Sequence, residues 1–90
     1  MIDPASIPQL NKHFRLQWEE AQDCYVLLYP EGMVKLNESA GLILNCVDGS
    51  KSVGTIIAEL AERFPQVEGI ASDIEEFMTT ASAQRWVAFS

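Results

Sequence analysis

Ninety residues make one domain with a thin core, burying roughly 60–70% of the unfolded chain's surface. The 48% hydrophobic content excludes a disordered chain, and no window approaches the ~20 apolar residues of a membrane span. A formal charge of −7, with the six Lys and Arg residues scattered, argues against the basic face that a duplex binder needs to displace counterions.

The opening stretch MIDPASIPQLNK carries Pro4 and Pro8 and no clear periodicity, so residues 1–12 read as a flexible arm ahead of a single domain over 13–90. It lacks the basic start and apolar run of a signal peptide, so the expected location is the cytoplasm. Phe14, Leu16 and Trp18 alternate with Arg15, Gln17 and Glu19, the period of a half-buried strand. A turn at 20–23 leads into Cys24 to Tyr29, continuously apolar as expected of a central strand covered on both faces. Pro30-Glu31-Gly32 reverses the chain, and residues 33–36 form a short third strand.

Asn37 caps a first helix, with Glu38 in its first turn. Leu36, Ala40, Ile43, Leu44 and Val47 make its apolar stripe, and Gly49 supplies a left-handed stop. Ser52 caps a second helix striped by Val53, Ile56, Ile57, Leu60, Ala61 and Phe64 and ended by Pro65. Gly54, in its first turn, costs about 1 kcal/mol relative to Ala. Ser72 and Glu75 read as a capping box starting a third helix, whose stripe is Ile74, Phe77, Met78 and Ala81. Trp86, Val87 and Phe89 either close the core or leave the domain to meet a partner. Three strands followed by three helices predict an α+β, winged-helix-like domain: a three-stranded antiparallel sheet with helices packed on it.

Catalysis finds little support. Glu19-Glu20 and Glu75-Glu76 are adjacent pairs that point in different directions, and DGSKS at 48–52 is explained as a helix–helix connection. Cys24 and Cys46 lie outside any CxxC pair and the lone histidine is His13, so buried thiols are expected, with no metal and no catalytic residue. The edge strand at 33–36 is more informative. One reading is a mild edge guarded by Lys35; the functional reading is a rail to which an extended peptide adds as a fourth strand. Helix three reads either as core or as the far wall of a groove, with Asp73 and Glu76 at the rim.

The run YVLLYPEGMVKLNESAGLILNCVDGSKSVGTIIAELAERFP, followed by DIEEFM, resembles the PqqD family of pyrroloquinoline quinone biosynthesis over roughly residues 14–87. The order and spacing of the pieces carry the likeness: a strand ending in Tyr-Pro, a Gly before the third strand, Leu36-Asn37, the Asp48-Gly49 stop, the Ser52 cap and the apolar stripe before Pro65. The chain departs at QRWVAF, where the family often has a Gly-Leu-Ile-type segment. The resemblance implies a recognition element without chemistry or cofactor of its own, which binds the precursor peptide PqqA and presents it to the radical-SAM enzyme PqqE. It implies a peptide site at Met33, Val34, Lys35, Leu36, Asp73, Ile74, Phe77 and Met78. The alternative is a winged-helix DNA-binding or transcription-associated domain, which the charge disfavours. An unpaired edge in so short a domain also invites exchange between copies, hence a homodimer.

Overall fold

The computed structural model describes residues 2–90. Its elements in chain order are β1 (Pro8–Leu10), β2 (Arg15–Glu19), β3 (Cys24–Tyr29), β4 (Gly32–Lys35), α1 (Glu38–Asn45), α2 (Val53–Arg63), α3 (Ile70–Ala83) and β5 (Val87–Phe89). The expected antiparallel sheet is present in the order β2-β3-β4. Arg15 pairs with Leu28 on one side of β3, and Val26 pairs with Lys35 on the other. Among the described strands β3 is the one with neighbours on both sides, and its Val26 and Leu27 are 0% exposed. No helix among the described residues is long and apolar enough to cross a membrane.

The first two helices begin where their caps direct. The Asn37 carboxamide oxygen accepts from the Ala40 N–H at 2.8 Å, and the Ser52 hydroxyl oxygen accepts from the Thr55 N–H at 3.1 Å. Two core clusters result. In the first, α1 lays Ala40 and Leu44 with Leu36 against Leu27 of the sheet. In the second, Ile43 and Cys46 meet Ile56 and Leu60 of α2 and Ile74 and Met78 of α3. A fully buried side chain such as Ile56, Ile74 or Met78 contributes about 1.5–3 kcal/mol.

Three features differ from the sequence expectation. Residues 8–10, in the stretch read as a flexible arm, form β1 and pair with β5, Gln9 opposite Ala88. The arm also reaches α2: the Val53 and Gly54 amides donate to the carbonyls of Ser6 and Pro4, each at 2.9 Å. A Cβ on Gly54 would lie 3.3 Å from that Pro4 oxygen, so the glycine read as a local cost makes room for the arm. Second, α3 starts at Ile70, with Gly69 as its N-cap (φ 70°) and no side-chain cap bond. Ser72 already lies inside the first turn, so the capping box does not form. Ile70 extends the apolar stripe by one turn toward the N-terminus, a signal present in the spacing of Ile70 and Ile74.

Third, the QRWVAF departure folds as a tight stop. Arg85 adopts φ 64°, its N–H donates to the Ser82 carbonyl at 3.0 Å, and the Trp86 N–H donates to the Ala81 carbonyl at 2.9 Å. This is a Schellman turn with arginine in the left-handed position usually held by glycine. Replacing Arg85 by Gly relieves the left-handed Cβ contact. Arg85→Gly is expected to raise stability by about 0.5–1 kcal/mol in denaturant titration.

The link between α1 and α2 is held by one carboxylate. Asp48 Oδ1 accepts from the Ser50 N–H and hydroxyl, both at 2.9 Å, and from the Lys51 N–H at 3.1 Å. These bonds, the Ser50 N–H foremost, hold its pKa below the ordinary carboxylate value. A depressed folded pKa adds stability above the unfolded value of about 3.9 and loses it as pH falls through the lower folded value. Asp48→Ala is therefore expected to lower the melting temperature at pH 7. The gap from the parent should close as melts are repeated below about pH 4.

Candidate functional site

The open edge of β4, the start of α1 and the outward stripe of α3 enclose a groove of about 350 Å³. The Leu36 N–H donates to the Tyr25 carbonyl at 3.0 Å. Narrow and wide pairs alternate in an antiparallel ladder, so Val34 and Gly32 also direct their backbone groups to β3. Met33 and Lys35 consequently turn their N–H and C=O groups to the open side. Side chains alternate too: Val34 and Leu36 face the core side of the sheet, and Met33 faces away from it, 46% exposed.

The eight residues expected at the site fall into three groups. Val34, Lys35, Leu36, Asp73 and Phe77 line the groove together. Met78 is 0% exposed in the second core cluster and does not reach it. Ile74, 1% exposed, belongs to that cluster and borders a neighbouring pocket, and Met33 lies on the opposite face of the sheet. Phe77 and Met78 are adjacent, and a helix separates adjacent side chains by about a third of a turn. One can therefore face the groove only if the other turns inward.

Several lining residues escaped the sequence reading: Asn37, Ser39, Ala40 and Ile43 of α1 and its cap, Thr80 of α3, and Trp86. Thr80 was legible, since Asp73, Phe77 and Thr80 follow helical spacing on one stripe. Trp86 was not, because its place depends on the left-handed turn at Arg85. That turn folds it back toward α3, where its ring lies 6.3 Å from that of Phe77. The two rings form the aromatic wall of the groove, opposite backbone donors and acceptors on β4. An extended chain fits such a site through main-chain hydrogen bonds on one side and apolar side chains on the other.

The remaining candidates for chemistry point elsewhere. Among the described residues no three His, Cys, Asp or Glu side chains cluster as a metal site. Both cysteines are free thiols, and burial pushes the Cys46 thiol above its ordinary pKa, the opposite of an activated nucleophile. In the α1–α2 unit, Lys51 is held by Glu59 at 2.9 Å, and the guanidinium of Arg63 lies 5.4 Å from the Phe64 ring centroid. Neither is presented as part of a phosphate-binding row. No duplex DNA binding is expected at physiological salt in an anisotropy titration; micromolar, salt-sensitive binding would contradict this.

Comparison with known proteins gives consistent matches. The family model for coenzyme PQQ synthesis protein D (PqqD) matches residues 24–87. A PqqA binding protein of Pseudomonas aeruginosa is 60% identical over 82 residues, 91% of this chain and 89% of the relative. One from Azotobacter vinelandii is 57% identical over 81 residues, 90% and 88% of the two chains. The solution NMR structure of the PqqD truncation of Methylobacterium extorquens PqqCD superposes with a TM-score of 0.79. It is 26% identical, with 98% of this chain and 95% of that one covered. That protein is described as a functional, stand-alone recognition element for ribosomally synthesised and post-translationally modified peptides.

Proposed function

The chain belongs to the PqqD family, and from that premise we propose that it is a non-catalytic adaptor of pyrroloquinoline quinone biosynthesis. It holds the precursor peptide PqqA in the groove between β4 and α3 and presents it to the radical-SAM enzyme PqqE. The observation that carries this reading is the outward-facing backbone of Met33 and Lys35 beside the Phe77–Trp86 wall. The relatives named as PqqA binding proteins support the ligand. A strand that adds here makes main-chain bonds at Met33 and Lys35 and sets alternate side chains against Val34, Leu36, Phe77 and Trp86. The adaptor needs no nucleophile: it orders a flexible peptide and leaves the reacting residues for the enzyme. The same edge gives a second copy a place to pair, so self-association and peptide binding compete for it.

Peptide titration of three variants tests the groove, with circular dichroism and melting for each. Lys35→Pro removes an N–H from the open side and no ladder bond, so the protein should stay folded and bind the precursor peptide less tightly. Phe77→Ala should lose ~1–3 kcal/mol of affinity as a truncated apolar anchor. Met78→Ala should lose ~2–5 kcal/mol of stability through a core cavity, with the affinity of the folded fraction unchanged. Undiminished binding by folded Lys35→Pro and Phe77→Ala, with amide shifts clustered on β2 or α2, would move the site elsewhere.

A further inference from the structure

Beyond the C-terminal end of β4 lies a second concavity, of about 190 Å³. Its walls are Leu42, Phe64, Val67 and Ile70 over a floor of Leu60 and Ile74. Val67 stands 41% exposed, one of three large apolar side chains left open to water among the described residues. The concavity is not separate from the groove: Ser39, Ile43 and Asp73 line both. Two carboxylates, Glu38 and Asp73, border it, in a chain of net charge −7.

We infer that this pocket is a second anchor for the same peptide, taking one large apolar side chain next to a basic group, from residues just N-terminal to the segment that pairs with β4. The inference rests on the adaptor reading above and adds to it a subsite and a direction. The direction follows from the fold. The chain leaves β4 at Lys35 and enters α1 at Glu38, so the pocket lined by Glu38, Ser39 and Leu42 lies past the C-terminal end of β4. A strand that continues the antiparallel sheet runs opposite to β4 and enters from this end, N-terminus first. Its leading residues therefore lie over the pocket before the strand begins. The apolar walls call for an apolar side chain, and the two carboxylates favour a cationic neighbour over an anionic one. An anchor outside the paired segment also fixes register, which main-chain bonds alone leave free to slip by two residues.

The test uses the intact protein, the full-length precursor peptide PqqA and a series of that peptide shortened one residue at a time from its N-terminus. The parent protein should lose affinity in two stages: first as the anchor residue is removed, then as the paired segment is cut. Leu42→Ser/Val67→Ser should bind the full-length peptide about tenfold or more weakly than the parent, and the anchor-less peptide equally well. Phe77→Ala should weaken both. Val67→Ser alone, at an exposed loop position, should show the same pattern at smaller size and guards against a folding defect in the double variant. Unchanged full-length affinity in folded Val67→Ser and in the double variant overturns the second anchor while the adaptor reading stands. Absence of binding by the parent to every peptide in the series overturns both.

Discussion

The first helix lies so close to the sheet that a Cβ at Gly41 would stand 2.9 Å from Cδ2 of Tyr25 and 3.2 Å from its Cβ. Glycine at this point lets α1 settle on β3, with Ala40 and Leu44 against Leu27. The middle of the inner face is thereby taken. α3 cannot cover the sheet as well, so it packs on α2 and meets β5 at its far end. It comes alongside β4 without closing on it, and the space between them is the groove. A larger residue at Gly41 would lift α1 and disturb the groove from below, although that glycine does not line it.

α3 then serves two surfaces at once. Ile74, Met78 and Ala81 are buried and fix the helix to the core. Asp73, Phe77 and Thr80, on the adjacent stripe, line the groove. Because the buried stripe fixes α3 to the core, Phe77 lines the groove in a set position, which would spare a bound chain part of the ordering cost. The buried side chains of the core are all apolar. The polar groups along the groove include the free backbone of β4, the side chains of Asn37, Ser39 and Thr80, and the Asp73 carboxylate. The acidic surface also favours the approach of cationic ligands over anionic ones at low salt.

How much of this was legible from sequence depended on the range of each signal. The helical pair was readable because caps and stripes are local: Asn37, Ser52 and the run from Val53 to Phe64 declare themselves within a dozen residues. The sheet was readable for the same reason, since turns of a few residues join its strands. β1 and β5 were not, because three residues carry no period and their partners lie at opposite ends of the chain. The left-handed arginine at position 85 was also hidden, since only glycine announces that conformation. At the site, the spacing placed Phe77 and Met78 on one broad stripe without deciding which faces the groove. That choice is made by α2, whose Ile56 and Leu60 share a cluster with Met78.

The pairing of Pro8–Leu10 with Val87–Phe89 has a kinetic consequence. This ribbon joins residues almost a full chain length apart, and closing so long a loop carries an entropy cost that no local contact offsets beforehand. The meander and the α1–α2 pair can form from neighbours in sequence, but the ribbon has to wait until Val87–Phe89 has been made. Trp86 sits at the start of that final segment, and the amides at the head of α2 receive their partners from the first. The turn at Arg85 folds Trp86 back locally, and the N-terminal segment then holds it there, the Asn11 N–H donating to the Trp86 carbonyl at 2.8 Å. The strand that closes the ribbon therefore also steadies the groove wall, and loss of its pairing would loosen that wall while leaving most of the helices intact.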